Sequence, residues 1–169
     1  MQPRPATPDD TPELLRLAAT MYASMGLDAS GSEWREQATK LLAERLGGEE
    51  VGIFVVDDPE RRGGLVACGG AAVIQRLPGP STPSGRWGYV QWMATEPAYR
   101  RRGLAKAVFN AILEWLEKRG VTNVELHATP AGEPLYRSFG FTDPASPELR
   151  RVGEASDTAG RATAKRGSA

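Results

Sequence analysis

Apolar positions along this chain recur with two periods, and the alternation between the periods lays out its elements. After Thr7-Pro8-Asp9-Asp10, a cluster suited to opening a helix, Leu14, Ala18, Met21, Tyr22 and Met25 repeat at helical spacing. A loop rich in Gly, Ser and Asp spans 26–32. Trp34, Ala38, Leu41, Leu42 and Leu46 then share one face of a second helix, which ends at Gly47-Gly48. Residues 51–56 are β-branched and apolar and predict a strand, and 65–74 its return, with the Asp-Pro and Gly-Gly pairs of 57–64 making the hairpin turn. Gly69-Gly70 inside the return strand predicts a bulge or a close backbone approach. A proline-rich loop covers 77–85, and a third strong strand covers 87–95.

Leu104, Val108, Ala111, Ile112, Trp115 and Leu116 then mark the buried face of a long helix over 103–119, stopped by Gly120. A strand over 121–128, a short helix over 133–138, a further strand after Phe139-Gly140-Phe141 and a last one over 149–152 complete the pattern. Residues 1–6 predict a short edge strand, because Pro3 and Pro5 spoil a central one. A strand–helix–strand crossover makes its strands parallel, so 87–95 and 122–128 run parallel within a mostly antiparallel sheet. The expected fold is α+β, a mixed sheet with helices on both faces. It occupies 1–152 as one domain, and 153–169, without aromatics or aliphatics larger than Ala, is expected to be a disordered tail.

Composition narrows the function more than it names it. The 21 basic and 21 acidic residues cancel, which argues against bulk binding to nucleic acid or an anionic membrane. One cysteine, Cys68, and one histidine, His127, leave no intrachain disulfide and no Cys- or His-rich metal site. Cys68 lies in an apolar stretch and reads as a core residue. The N-terminal segment is not a hydrophobic signal and no apolar run approaches membrane-spanning length, so the expectation is a cytoplasmic protein.

The one anomalous local feature is Arg100-Arg101-Arg102 running into Gly103-Leu104-Ala105. A helix start exposes unpaired N–H groups with positive dipole character, and acidic or Ser/Thr/Asp/Asn caps normally complete it. Cations and a bare glycine there call for an anion such as phosphate. The segment also sits between a hydrophobic strand and a helix, where parallel-strand topology places ligands. Neither a Walker lysine pattern nor a three-glycine dinucleotide fingerprint is present.

Arg100-x-x-Gly103-x-Ala105 resembles the pyrophosphate loop of the GNAT superfamily of acetyl-CoA-dependent N-acetyltransferases, Gln/Arg-x-x-Gly-x-Gly/Ala. Leu126-His127-Ala128-Thr129 and Leu135-Tyr136-Arg137-Ser138-Phe139-Gly140-Phe141 resemble its next two blocks, in the same order, so the match covers 87–141. The resemblance implies a GNAT-like, acyl-CoA N-acyltransferase fold, acetyl-CoA as co-substrate, no metal and a small-molecule or peptide amine as partner. It implies that the backbone of Met93, Ala94 and Thr95 pairs with the pantetheine arm, one N–H pointing at the thioester carbonyl. Arg101, Arg102, Gly103, Leu104 and Ala105, with Lys106 beside them and Arg100 in the pattern's first position, would hold the pyrophosphate. Thr129 lies close to where many members carry a cofactor-contacting asparagine. Tyr136 matches the general acid.

No residue spacing compels a choice of base. Glu96 reads as solvated at the turn, His127 as packed or lining the cleft, and Asp28 as a turn residue or, alternatively, a site for a cationic substrate, while Tyr89 and Gln91 share the strand face opposite Val90, within reach of a substrate. Asp9 and Asp10 read as caps and Asp57 as a turn residue. With no nucleophile poised for an acyl-enzyme, direct transfer in a ternary complex is expected. A non-catalytic acyl-CoA-binding module and a polyanion-interaction domain remain as alternatives, and a homodimer is left open.

Overall fold

Five strands lie in one sheet in the order in which they occur along the chain. The computed structural model describes residues 1–149 and 151. Strands β1 (Arg4–Pro5), β2 (Val51–Asp57), β3 (Leu65–Gln75) and β4 (Arg86–Thr95) pair antiparallel, and β5 (Val124–Leu126) joins β4 in parallel. Helices α1 (Thr11–Ser24) and α2 (Glu33–Arg45) precede β2, α3 (Leu104–Glu117) crosses from β4 to β5, and α4 (Glu133–Arg137) follows. The expected α+β architecture, with a mixed sheet between helices, is the one observed.

Each face of the sheet carries its own core. Leu104, Val108, Phe109, Ile112 and Leu116 of α3 pack with Val56, Ala71 and Val90. Leu14 and Leu17 of α1 and Leu42 of α2 pack with Ile53, Val55, Leu65 and Cys68 on the other face. Helix α3 stops where Gly120 takes φ 67 and the Val121 amide returns to the Leu116 carbonyl at 3.0 Å. Helix α1 is introduced by a turn in which the Thr7 amide donates to Asp10 at 2.7 Å, and Arg4 donates to Asp10 and Asp57 together. Asp57 is thus the end of β2 and an ion-pair partner, not a turn residue.

The glycine pair of β3 does what its position suggested. The β3–β4 register slips between Cys68 and Gly70. A Cβ on Gly69 would stand 2.3 Å from the Met93 sulfur and 2.9 Å from Val108, so only glycine fits beneath α3 there. Opposite the slip, Trp92 takes φ 58, a left-handed backbone that costs a bulky residue about 1–3 kcal/mol. The bulge reverses the strand's facing. Gly88 and Val90 point to α3, and after the extra residue Met93 does so, while Trp92 and Ala94 pack with the α1 side.

Other expectations shift. The predicted face of α2 is mostly open: Leu42 is buried, but Leu41 is exposed and Trp34, Ala38 and Leu46 are only part-buried. Phe109, absent from the predicted stripe of α3, is fully buried, whereas Ala111 and Trp115 are part-buried. The strand expected over 121–128 shrinks to Val124–Leu126, with Val121 buried in the preceding turn. No strand forms after Phe141 among the described residues; residues 149 and 151 are not in a strand, and 150 and 152 lie outside them, as does the tail call at 153–169.

Candidate active site

Strands β4 and β5 pair from Gly88 and Val124 to Val90 and Leu126, and there the pairing ends. Strand β4 continues to Thr95, still held on its other side by β3 through Cys68–Ala94 and Ala67–Thr95. Its last residues, Met93, Ala94 and Thr95 included, therefore have an open edge where a neighbouring strand would lie. A polar chain laid along that edge would find main-chain donors and acceptors ready to pair.

The same strand feeds the arginine loop. A 3-10 turn at Pro97–Tyr99 follows Glu96, and Arg101 then takes φ 62 and Gly103 φ 79 before α3 starts at Leu104. No side chain caps that helix. Among the described residues, no protein group accepts a hydrogen bond from the amides of Arg101, Arg102, Gly103, Leu104, Ala105 or Lys106. The Leu104 side chain is buried in the α3 core and pins the helix start in place. The cations are held by neutral groups. Arg100 donates to the Thr95 carbonyl at 3.3 Å, and Arg102 donates to the Ala98 carbonyl at 3.0 Å while lying 4.8 Å from the Tyr99 ring centroid. Among the described residues no carboxylate pairs with Arg100, Arg101, Arg102 or Lys106. The outcome is an uncapped, positively charged helix start next to an open strand edge, an arrangement that suits a diphosphate.

Glu96 is not the solvated residue that its position at the turn suggested. It pairs with Arg16 of α1, which also donates to Glu13 at 2.9 Å and to the Leu65 carbonyl at 2.8 Å. Arg61 adds a second cation on Glu13. This network ties the start of the arginine loop to α1 and β3 and removes Glu96 as a free base. Nothing in the local sequence signals a contact between residues 80 apart.

Tyr136 stands at the far side of the opening, on α4. Its ring packs edge-on to Phe109 at 5.1 Å, and it lines a cavity of about 300 Å³ with Leu126, His127, Ala128 and Phe141, beginning where β5 ends. Burial pushes its hydroxyl above the usual tyrosine range, which keeps it protonated at neutral pH. Among the described residues that hydroxyl has no hydrogen-bond partner. Thr129 is committed to opening α4. Its hydroxyl and carbonyl accept from the Gly132 amide at 3.2 and 2.9 Å, and its carbonyl accepts from Glu133 at 2.9 Å.

The remaining candidates sort cleanly. His127 lies 5.9 Å from the Tyr89 ring and 3.6 Å from Glu148. Asp28 accepts from the Ser30 amide at 2.8 Å, a local turn. Cys68 is buried, donates to the Trp92 carbonyl at 3.4 Å, and burial pushes its thiol up to about 12. Trp92 is part of the α1-side core and donates to the Tyr22 hydroxyl at 3.0 Å.

A crossover sheet with its parallel pair splayed beside an uncapped helix start defines the acyl-CoA N-acyltransferase class of fold. The chain belongs to the acetyltransferase (GNAT) family, whose sequence pattern matches residues 13–141. Among solved structures it is similar to a predicted acetyltransferase with acetyl-CoA from Clostridium acetobutylicum, at 22% identity and a TM-score of 0.78 over 88% of this chain and 95% of that one. It is similar also to a GCN5-related N-acetyltransferase from Ralstonia eutropha JMP134, at 26% identity and a TM-score of 0.76 over 90% and 99%. A third is glucosamine-6-phosphate N-acetyltransferase from Arabidopsis thaliana, at 16% identity and a TM-score of 0.70 over 90% and 98%. No curated protein matches the sequence. Among the described residues no helix is long and apolar enough to cross a membrane.

Proposed function

We propose that this protein moves an acetyl group from acetyl-CoA to a primary amine by direct attack in a ternary complex. The observation that carries this reading is the open edge of β4 leading within one turn to the uncapped, cationic start of α3. The pantetheine arm lies along Met93, Ala94 and Thr95, and the diphosphate takes the amides and cations of Arg101 through Lys106, with Arg100 steadying the strand end. The solved neighbour with acetyl-CoA supports that donor.

In the transfer, the amine nitrogen bonds to the thioester carbon and negative charge gathers on the carbonyl oxygen. A main-chain N–H at the tip of β4 meets that charge. The C–S bond then breaks, the Tyr136 hydroxyl gives its proton to the departing thiolate, and the proton shed by the amine leaves through solvent to restore the tyrosine. Tyr136 is protonated at neutral pH and so available as donor, and because its hydroxyl is a weaker acid than a thiol of pKa about 8.5, its proton moves to the thiolate only in concert with the amine's proton restoring the tyrosine. Cys68, deep in the core with its thiol held protonated, offers no route through an acyl-enzyme.

Calorimetry with acetyl-CoA, followed by thiol release with a set of amines on the same sample, tests this reading. Acetyl-CoA binding and amine-dependent thiol release are expected. Failure to bind acetyl-CoA overturns the assignment, and binding without thiol release for any amine leaves a non-catalytic acyl-CoA module.

A further inference from the structure

The lightly seated helix α2 leaves a cavity of about 360 Å³ between itself and the sheet, on the face away from α3. That volume falls in the range of small-ligand sites, about 300–1,000 Å³. Gly70 and Ala72 of β3 leave its floor without bulk, Ile53, Leu42 and Trp92 wall it, and Leu41, 45% exposed, forms an apolar lip. Among the described residues, the charged ones lining it are Arg45 and Glu50, which pair with each other at 3.0 Å. Gln91 of β4 contributes an amide at the same end as Trp92.

Trp92 is the residue before Met93, and the bulge turns its side chain onto this face. The cavity thus begins one residue from the strand end where, on the function proposed above, the acetyl group is held. From these observations we infer that the cavity holds the body of the acceptor, and that the acceptor is a monoamine carrying an apolar aralkyl or branched alkyl group. The inference rests on the acetyltransferase reading. An apolar body replaces water against Leu41, Leu42, Ile53 and Trp92, and the Gln91 amide supplies a neutral polar contact at the reacting end. Among the described residues the lining has no carboxylate left over for a second ammonium group and no cation left over for a phosphate, and burying either uncompensated is costly.

Thiol release from acetyl-CoA should be compared for phenethylamine, spermidine and glucosamine 6-phosphate, with the wild type and with Ala72→Trp and Leu41→Gln. The expected result is a kcat/KM for phenethylamine at least tenfold above the other two. Ala72→Trp is expected to raise the phenethylamine KM tenfold or more with the acetyl-CoA KM unchanged, and Leu41→Gln to raise it severalfold. Leu41 is exposed, so its variant decides the matter if Ala72→Trp fails to fold. Preference for spermidine or glucosamine 6-phosphate, or a phenethylamine KM untouched by Leu41→Gln, overturns the pocket assignment while leaving the enzyme intact. Acetyl-CoA bound with none of the three amines accepted also overturns it, whereas failure to bind acetyl-CoA removes the reading beneath it.

Discussion

Helices α3 and α2 are seated on the sheet to different standards. Against α3, Val108, Phe109, Ile112 and Leu116 are completely enclosed, and Phe109 is ringed by Tyr136, Phe139 and Phe141 at centroid distances of 5.1, 4.9 and 5.6 Å. Against α2, one side chain, Leu42, is buried, and a cavity remains beneath the helix. Tightly seated α3 opens at the groups assigned to the cofactor, and on the acceptor assignment inferred above loosely seated α2 would bound the site of the other substrate. Rigid support suits a ligand that never changes, and spare room suits one whose shape must be selected.

The largest blow to this contrast is Phe109→Ala. It removes the ring on which Tyr136 packs and is expected to cost about 3–5 kcal/mol in denaturant unfolding. Tyr136→Phe keeps the packing and deletes the proton, so kcat should fall about 10²-fold or more with acetyl-CoA affinity retained. Full activity would take Tyr136 out of the chemistry. Arg102→Glu places a negative charge at the uncapped helix start, and the apparent KM for acetyl-CoA should rise about tenfold or more.

A smaller effect separates the network at Glu13 from both faces. Burial raises that carboxyl, but hydrogen bonds from Arg61, Arg16 and the Leu65 amide outweigh it and hold the pKa at about 2 against an ordinary 4.5. A folded-state pKa below the unfolded one stabilises the protein above about pH 4.5, and that contribution is lost as pH falls toward 2. Glu13→Gln should flatten unfolding free energy across this window. At the bottom of the scale, Leu41→Ala on the loose face should change stability by no more than about 0.5 kcal/mol.

What could be read from the chain follows the same division. Strong periodicity in α3, the glycine that opens it and the glycine that closes it were all legible, because each rests on local backbone chemistry. So was the slip at Gly69-Gly70, since a glycine pair inside an apolar strand has few other uses. Helix α2 misled because its spacing promised a buried face, and burial depends on how closely the helix seats on the sheet. Phe109 was missed because it lies one position aside from the Leu104–Val108–Ile112 stripe, and the rings of Tyr136, Phe139 and Phe141 gather around it from later in the chain. The Arg16–Glu96 pair joins distant segments and leaves no local trace. Left-handed backbone at Trp92 runs against the residue's own preference and is imposed by the strand pairing.

That one surplus residue in β4 makes the strand's tolerance of length errors depend on where they fall. Losing the codon for Gln91 or Trp92 would regularise the ladder and leave the thioether over the hollow at Gly69, although loss of Trp92 also removes the indole that meets Tyr22. Losing a codon between Gly88 and Val90, where the strand alternates without a spare residue, would turn one end of it over. Single-residue deletions scanned along β4 should therefore be tolerated best at the bulge.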